Sequence, residues 1–320
     1  TNAVIVLSES LFAFLASLRL AAFLIFSVSS AVNNHYINMD TNTPVYSFEF
    51  FPPKTGAGLE KLEQTSQMLA ALKPRFFSVT FGAGGSTRDR TFQAVVDIQH
   101  KSGIEVAPHL SCISSTHENI REVLHAYKKE DIRHMVALRG DIPSGVVEAG
   151  EFRYANELVS FIREETGDHF HIEVAAYPEY HPQATSPDRD LENFRRKVEA
   201  GADSAITQYF YNADAYFRFL ERCRGAGITI PIVPGIMPIT NYFQLARFSD
   251  TCGAEIPRWI RKRLEAWGED LDSIRAFGED VVTALCERLL EQGAPGLHFY
   301  TLNKAEPSVA IWRNLGLTNG

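Results

Sequence analysis

The sequence predicts an α/β fold, a closed parallel (β/α)8 TIM barrel with an additional helical stretch before the eighth strand. Three observations lead there. From Met39 onward, short apolar β-type runs alternate with longer segments of helical character. Eight such units fill about 280 residues, the count that a closed barrel needs. Polar side chains recur at the C-terminal ends of the strand-like runs, where barrel enzymes place their chemistry. An open doubly wound sheet is the runner-up, but the strand-like runs are too regularly spaced to favour it. Both architectures bury both faces of their strands.

The first run, VYSFEFF (45–51), alternates β-formers and meets Pro52 and Pro53, which cannot extend a ladder. RFFSVTF (75–81), EVAPHLSC (105–112), HMVALRGD (134–141), HIEVAAYPE (171–179), SAITQYF (204–210), PIVPGIMP (231–238) and GLHFYTLN (296–303) follow. Helix-type segments fill the gaps at 59–72, 87–100, 116–129, 154–165, 187–200, 213–226, 240–249 and 306–315, and the additional helical stretch covers 256–292. No low-complexity linker or close repeat interrupts this order, so one catalytic domain is expected over residues 39–320.

Composition narrows the class. Of 320 residues, 45% are apolar and 22% charged, as in ordinary globular chains. A net charge of −8 argues against a nucleic-acid surface. Cys112, Cys223, Cys252 and Cys286 are widely spaced with no CxxC pair, which predicts reduced, buried thiols in a cytoplasmic setting. Residues 1–38 are a different text. Positions 4–28 are nearly all apolar and long enough to span a bilayer. Glu9 precedes that core, Arg19 interrupts it and no basic segment leads it, which counts against an anchor or signal. The leader is therefore expected to be translated upstream sequence or a cloning artefact, with a helix packed on the body or on a partner chain as the rival. No membrane association is expected of the folded domain.

Glu49 ends the first strand-like run, Thr80 the second, His109 the third, Arg139 and Asp141 the fourth, Tyr177 and Glu179 the fifth, Gln208 the sixth, and Tyr300 and Asn303 the eighth. Any one of these is a solvated strand end by default, but seven strands behaving alike point to a shared cleft. Alternation puts Phe48 and Phe50 on one face and Ser47, Glu49 and Phe51 on the other. With helices outside, Glu49 faces inward at the barrel mouth. A poorly solvated carboxyl among aromatics is expected to have a raised pKa, which suits a general acid; a salt bridge to a nearby Lys or Arg is the competing fate.

The LRGD turn (138–141) offers a guanidinium for an anion, a flexible glycine and a carboxylate, with a loop ion pair of equal standing. GAGGST (82–87) follows a strand and opens a helix, which suits phosphate, although a tight βα turn is the default account of its glycines. YPEYHP (177–182) offers a stacking ring and His181. In DLENFRRK (190–197), Asn193, Arg196 and Lys197 share roughly one helix face, and a solvated face is preferred on that segment alone. There is no HExxH, serine elbow or Cys/His ligand pair. No metal is expected, and His169 and His171 read as surface residues.

Taken in order, SFEFFPPK, SVTFGAGG, APHLSC, HMVALRGD, AAYPEYHP, ITQYFY, VPGIMP and HFYTLNKAE resemble the bacterial, single-domain methylenetetrahydrofolate reductases. The resemblance runs from residue 45 to the C-terminus and leaves out the leader. It implies a barrel holding non-covalent FAD at its C-terminal face. The implied reaction uses NADH or NADPH to reduce 5,10-methylenetetrahydrofolate to 5-methyltetrahydrofolate, the methyl donor for methionine synthesis. A homo-oligomer is implied, and the S-adenosylmethionine control of larger relatives is not expected. By motif, Thr80, Phe81, Ala83 and His109 would line the flavin, with Arg139, Gly140 and Asp141 along FAD. Tyr154, Ala155, Tyr177, His181, Ala184, Asp190, Asn193, Arg196 and Lys197 would complete that site, which gives the cations of the 190–197 helix a pyrophosphate to meet. Gln208, Gln244, Phe248 and Lys304 match folate positions; lysine at 304 keeps the charge of the arginine in some relatives but loses its fork.

The implied mechanism alternates two half-reactions in one pocket. Glu49 supplies the proton that opens the five-membered folate ring, and Asp141 tunes the flavin and stabilises the cationic iminium. Two rivals are a proline-dehydrogenase-like flavin barrel and a catalytically silent folate- or flavin-binding partner. The set of Glu49, LRGD and Gln208 argues against silence.

Overall fold

The computed structural model describes residues 43–81, 85–140 and 150–317. The leader expected at 1–38, together with Ala83 and Asp141, therefore lies outside the described residues. The strands are β1 (Val45–Phe50), β2 (Phe76–Val79), β3 (Glu105–Ser111), β4 (His134–Leu138), β5 (His171–Ala176), β6 (Ser204–Thr207), β7 (Ile232–Val233), β8 (Gly235–Ile236) and β9 (Gly296–Tyr300). Every pairing is parallel, in the order β7-β6-β5-β4-β3-β2-β1-β9-β8. β7 and β8 are the two halves of the seventh predicted strand. They part at Pro234, which has no N–H to give the ladder. One half pairs with β6 and the other with β9, so the barrel closes through a bent strand.

Helices alternate with the strands: α1 (Gly56–Ala70), α2 (Gly85–Ser102), α3 (His117–Lys129), α4 (Ala155–Thr166), α5 (Pro187–Glu199), α6 (Ala213–Gly225), α7 (Tyr242–Cys252), α8 (Arg258–Trp267), α9 (Leu271–Glu291) and α10 (Glu306–Asn314). Several begin on a side-chain oxygen that satisfies an open backbone N–H: Thr55, Thr116, Ser186, Asn212, Asn241 and Asp270 each do so. The predicted 256–292 stretch is two helices, broken where Gly268 turns to a φ of 57° and Asp270 caps a new start. Among the described residues, no helix is long and apolar enough to cross a membrane.

Strand alternation sorts the core. Phe48 and Phe50 point outward under the helices, against Phe77, Phe299 and Trp312. Each such ring, wholly buried, contributes roughly 1.5–3 kcal/mol by leaving water. Inside the barrel, Phe76, Ala107, Val136 and Ile206 form an apolar plug. The ladders end one to three residues before the apolar runs do. At the rim the chain turns away through left-handed Gly140 (φ 83°), Tyr180 (100°), Leu302 (50°) and Asn303 (54°). Thr80, Arg139, Tyr177 and Gln208 consequently belong to the loops just beyond their strands.

Candidate active site

Above the plug, at the C-terminal rim, the barrel opens into a trough with two lobes. The central lobe has a volume of about 940 Å³ and the side lobe about 560 Å³. Leu138, Gly140, Ala175 and Tyr177 line both, so the lobes are continuous. Their sizes suit small molecules.

Glu49 lies on the floor of the central lobe, held by neighbours from three strands. Its Oε2 is 3.1 Å from His109 Nε2 on β3, 3.5 Å from His298 Nε2 on β9 and 3.4 Å from Ser78 Oγ on β2. Ser47, two residues earlier on the same face, meets His298 Nδ1 at 2.7 Å. Inward placement of Glu49 agrees with the sequence pattern, but its expected raised pKa does not. Burial alone would raise it; the charges and hydrogen bonds of His109 and His298 outweigh that and hold the carboxyl down at about 2. Glu49 is thus an ionised neighbour of two imidazoles, not the partner of a lysine or arginine that the sequence offered as the alternative. His109 Nε2, although 3.1 Å from the Glu49 carboxylate, is not well aligned with it, and among the described residues this buried nitrogen has no other acceptor.

The rest of the central lobe is largely apolar and aromatic. Thr80, Phe81, Gln208, Tyr209, Phe248 and Tyr300 line it. Gln208 Oε1 accepts from the Tyr209 backbone N–H at 3.0 Å, which fixes the side chain at the end of β6. Tyr300 donates to Thr207 O at 2.7 Å, tying β9 to β6 across the bent strand.

The side lobe has another character. Among the described residues lining it, Arg139, Arg189, Arg196 and Lys197 face a single carboxylate, Asp190. In a chain with a net charge of −8, that is a local anion site. Lys197 is half-buried and donates to Ala175 O; burial pulls its ammonium down to about 8, against the attraction of Asp190. Arg139 is fixed by Gln183 Oε1 at 2.7 Å and by Gly140 O at 3.1 Å. Asp190 accepts from the His181 backbone N–H at 3.0 Å, and Tyr177 meets the His181 ring edge-on at 4.7 Å. Gly140 is needed for packing: a Cβ there would come within 1.8 Å of Ser111 Oγ.

The structure thus brings together Glu49, Thr80, Phe81, His109, Gly140, Tyr177, Gln208 and Phe248 in one lobe. Arg139, Tyr154, Ala155, His181, Ala184, Asp190, Asn193, Arg196 and Lys197 share the other. Gln244 and Lys304 line neither. Gln244 lies one turn before Phe248 on α7 and shares its face, whereas Lys304 is exposed beyond β9. Motif matching missed Ser47, Ser78 and His298, which position Glu49. Alternation within β1, β2 and β9 is the signal that would have found them.

This chain is similar to known proteins along nearly its whole length. The family model for methylenetetrahydrofolate reductase matches residues 35–316. The 5,10-methylenetetrahydrofolate reductase of Escherichia coli (strain K12) is 42% identical over 274 residues, which cover 86% of this chain and 91% of that one. The protein of the same name from Pectobacterium carotovorum subsp. carotovorum is 43% identical over 272 residues, with 85% and 90% covered. A probable methylenetetrahydrofolate reductase (NADH) from rice is 41% identical over 85% of this chain but only 48% of its own length. Among solved structures, an uncharacterized Clostridium thermocellum protein that binds two copies of 5-methyl-5,6,7,8-tetrahydrofolic acid aligns with a TM-score of 0.58. Its identity is 17%, with 87% of this chain and 94% of that one covered, a likeness of fold. By family model and by identity, the chain belongs to the methylenetetrahydrofolate reductase family.

Proposed function

We propose that this chain reduces 5,10-methylenetetrahydrofolate to 5-methyltetrahydrofolate with NADH or NADPH, using bound FAD. The observation that carries this is a single trough with an aromatic, acid-bearing centre and a cationic side lobe. The residues fit the cofactor. His109 brings a buried nitrogen without an aligned acceptor, and Lys197 a half-buried ammonium. Arg139, Asn193, Arg196 and Lys197 would hold the diphosphate end, and Thr80, Phe81, His109, Gly140 and Tyr177 the flavin end, with His181, Tyr154, Ala155, Ala184 and Asp190 between. Ala83 and Asp141 join this set by motif. When bound, FAD supplies the two-electron carrier between nicotinamide and folate.

The protein's own part is orientation and proton supply. Phe248 offers a face for either planar substrate to stack on, and Gln208, with its oxygen turned to the backbone, offers its amide N–H groups to the pterin. Gln244 and Lys304 reach the rest of the folate. With Ser47 donating to His298 Nδ1, the Nε2 proton of His298 faces Glu49. Glu49 is ionised at rest, so it must take up a proton before its Oε2 delivers one to the folate nitrogen whose bond breaks. Asp141 stabilises the cationic folate that results. The same reading makes the protein a cytoplasmic homo-oligomer that feeds methionine synthesis.

Purified chain loaded with FAD, supplied with NADH or NADPH and methylenetetrahydrofolate, is expected to form 5-methyltetrahydrofolate, detected by chromatography, only when both substrates are present. Nicotinamide oxidation that is indifferent to folate and yields no methyl product would refute the assignment.

A further inference from the structure

Below the apolar plug, at the N-terminal end of the barrel, lies a second polar cluster that the reaction does not use. His134 opens β4 and His171 opens β5, and the two are register partners with side chains entering the barrel. Glu173 follows two residues later on the same face, opposite Ser204 of β6. His171 is thus no simple surface residue. Its side chain is 27% exposed at the open lower rim, while His134 and Glu173 are buried.

Three donor atoms converge. His134 Nε2 is 3.3 Å from Glu173 Oε1, and His171 Nε2 is 3.8 Å from the same oxygen. One ligand atom from each residue lies within 4.8 Å of the others. His134 and Glu173 are within hydrogen-bonding reach, but two features are not accounted for by hydrogen bonding alone. Charge-assisted N–H···O bonds close to about 2.7–2.9 Å, and neither contact does. Glu173 Oε2 is buried without a partner among the described residues, in a residue only 3% exposed, a costly state for a carboxylate oxygen. A tetrahedral ion with N and O ligands at about 2.0–2.2 Å sets neighbouring donors about 3.3–3.6 Å apart. The first contact falls in that interval and the second just beyond it. Asp203 Oδ2, held by Arg163 and by the Ile172 backbone N–H, lies 3.9 Å from His171 Nδ1 and adds negative charge beside that ring without a hydrogen bond to it. Ser204 Oγ, 2.6 Å from His171 Nε2, is a further oxygen at hand.

We propose that His134, His171 and Glu173 form a binding site for a divalent transition-metal cation of the zinc class. Its role is structural. The ion ties β4 to β5 at the foot of the barrel, and Phe76, Ala107, Val136 and Ile206 separate it from the trough. The test uses the full chain, free of any affinity tag, stripped with chelator and titrated with Zn²⁺ or Co²⁺ alone. One equivalent should bind by calorimetry, Co²⁺ should give the visible absorption of a four-coordinate site, and the thermal midpoint should rise. His171→Gln, at the half-open rim, should weaken binding at least about tenfold, with FAD content and nicotinamide oxidation unchanged. Absence of stoichiometric binding would overturn the proposal, as would Co²⁺ absorption that survives unaltered in His171→Gln.

Discussion

Glu49 and Lys197 are the two half-buried charges on which the trough depends, and their surroundings move them in ways that their local sequence does not show. The orientation of Glu49 was legible: alternation within VYSFEFF sends it inward. Its ionisation was not, because the deciding histidines come from other strands, His298 lying 249 positions away. Lys197 presents the matching case on α5. Its ammonium is charged below about 8 and loses its charge as pH rises through that value. An anionic diphosphate beside it is therefore held less well at alkaline pH. FAD affinity, measured by equilibrium dialysis, is expected to fall from pH 7 to 9.5 in the native protein. In Lys197→Gln it should be about tenfold weaker at pH 7 and nearly flat over the same range. Equal pH slopes in the two proteins would take Lys197 out of cofactor binding.

The bent strand β7–β8 is the element on which closure of the barrel turns. Gly235, just after the break, has no room for a side chain. A Cβ there would meet Thr207 O at 2.2 Å and Tyr300 Cε2 at 2.6 Å. Gly235→Ala must push β6 and β9 apart and strain the Tyr300–Thr207 hydrogen bond. A loss of about 1–3 kcal/mol in urea unfolding is expected, and unchanged stability would contradict this account of the closure. The helices were the easier elements to place, since apolar period and capping residues are local properties. Strand ends were placed too far along, because a ladder ends where its neighbour does. Even so, PIVPGIMP contains the cause of the break, as Pro234 cannot donate. The 256–292 stretch reads as helical throughout by composition, although Gly268 marks its interruption.

At the scale of the whole molecule, the ordered βα units made the barrel legible, while the net charge concealed the cationic lobe, whose residues converge only after folding. Long-range contacts also set how stability responds to pH. Glu179, past β5, accepts from the Glu255 backbone N–H beyond α7 at 2.8 Å, and its other oxygen is buried without a partner among the described residues. Burial raises its pKa to about 7, opposed by that N–H and reinforced by the charge of Glu255. The folded value exceeds the unfolded 4.5, so the stabilisation is complete below 4.5 and is lost as pH rises through about 7. The thermal midpoint should fall from pH 5 to 8 more steeply in the native protein than in Glu179→Gln, which keeps the acceptor. Identical slopes would rule Glu179 out as the source. The central claim, that one trough serves two half-reactions and only the second draws a proton through Glu49, is tested most directly by stopped-flow absorbance of the FAD-loaded protein. Glu49→Gln is expected to be bleached by the nicotinamide at the native rate, then to be reoxidised by methylenetetrahydrofolate about 10²–10⁴-fold more slowly. Reoxidation of Glu49→Gln at the native rate would contradict it.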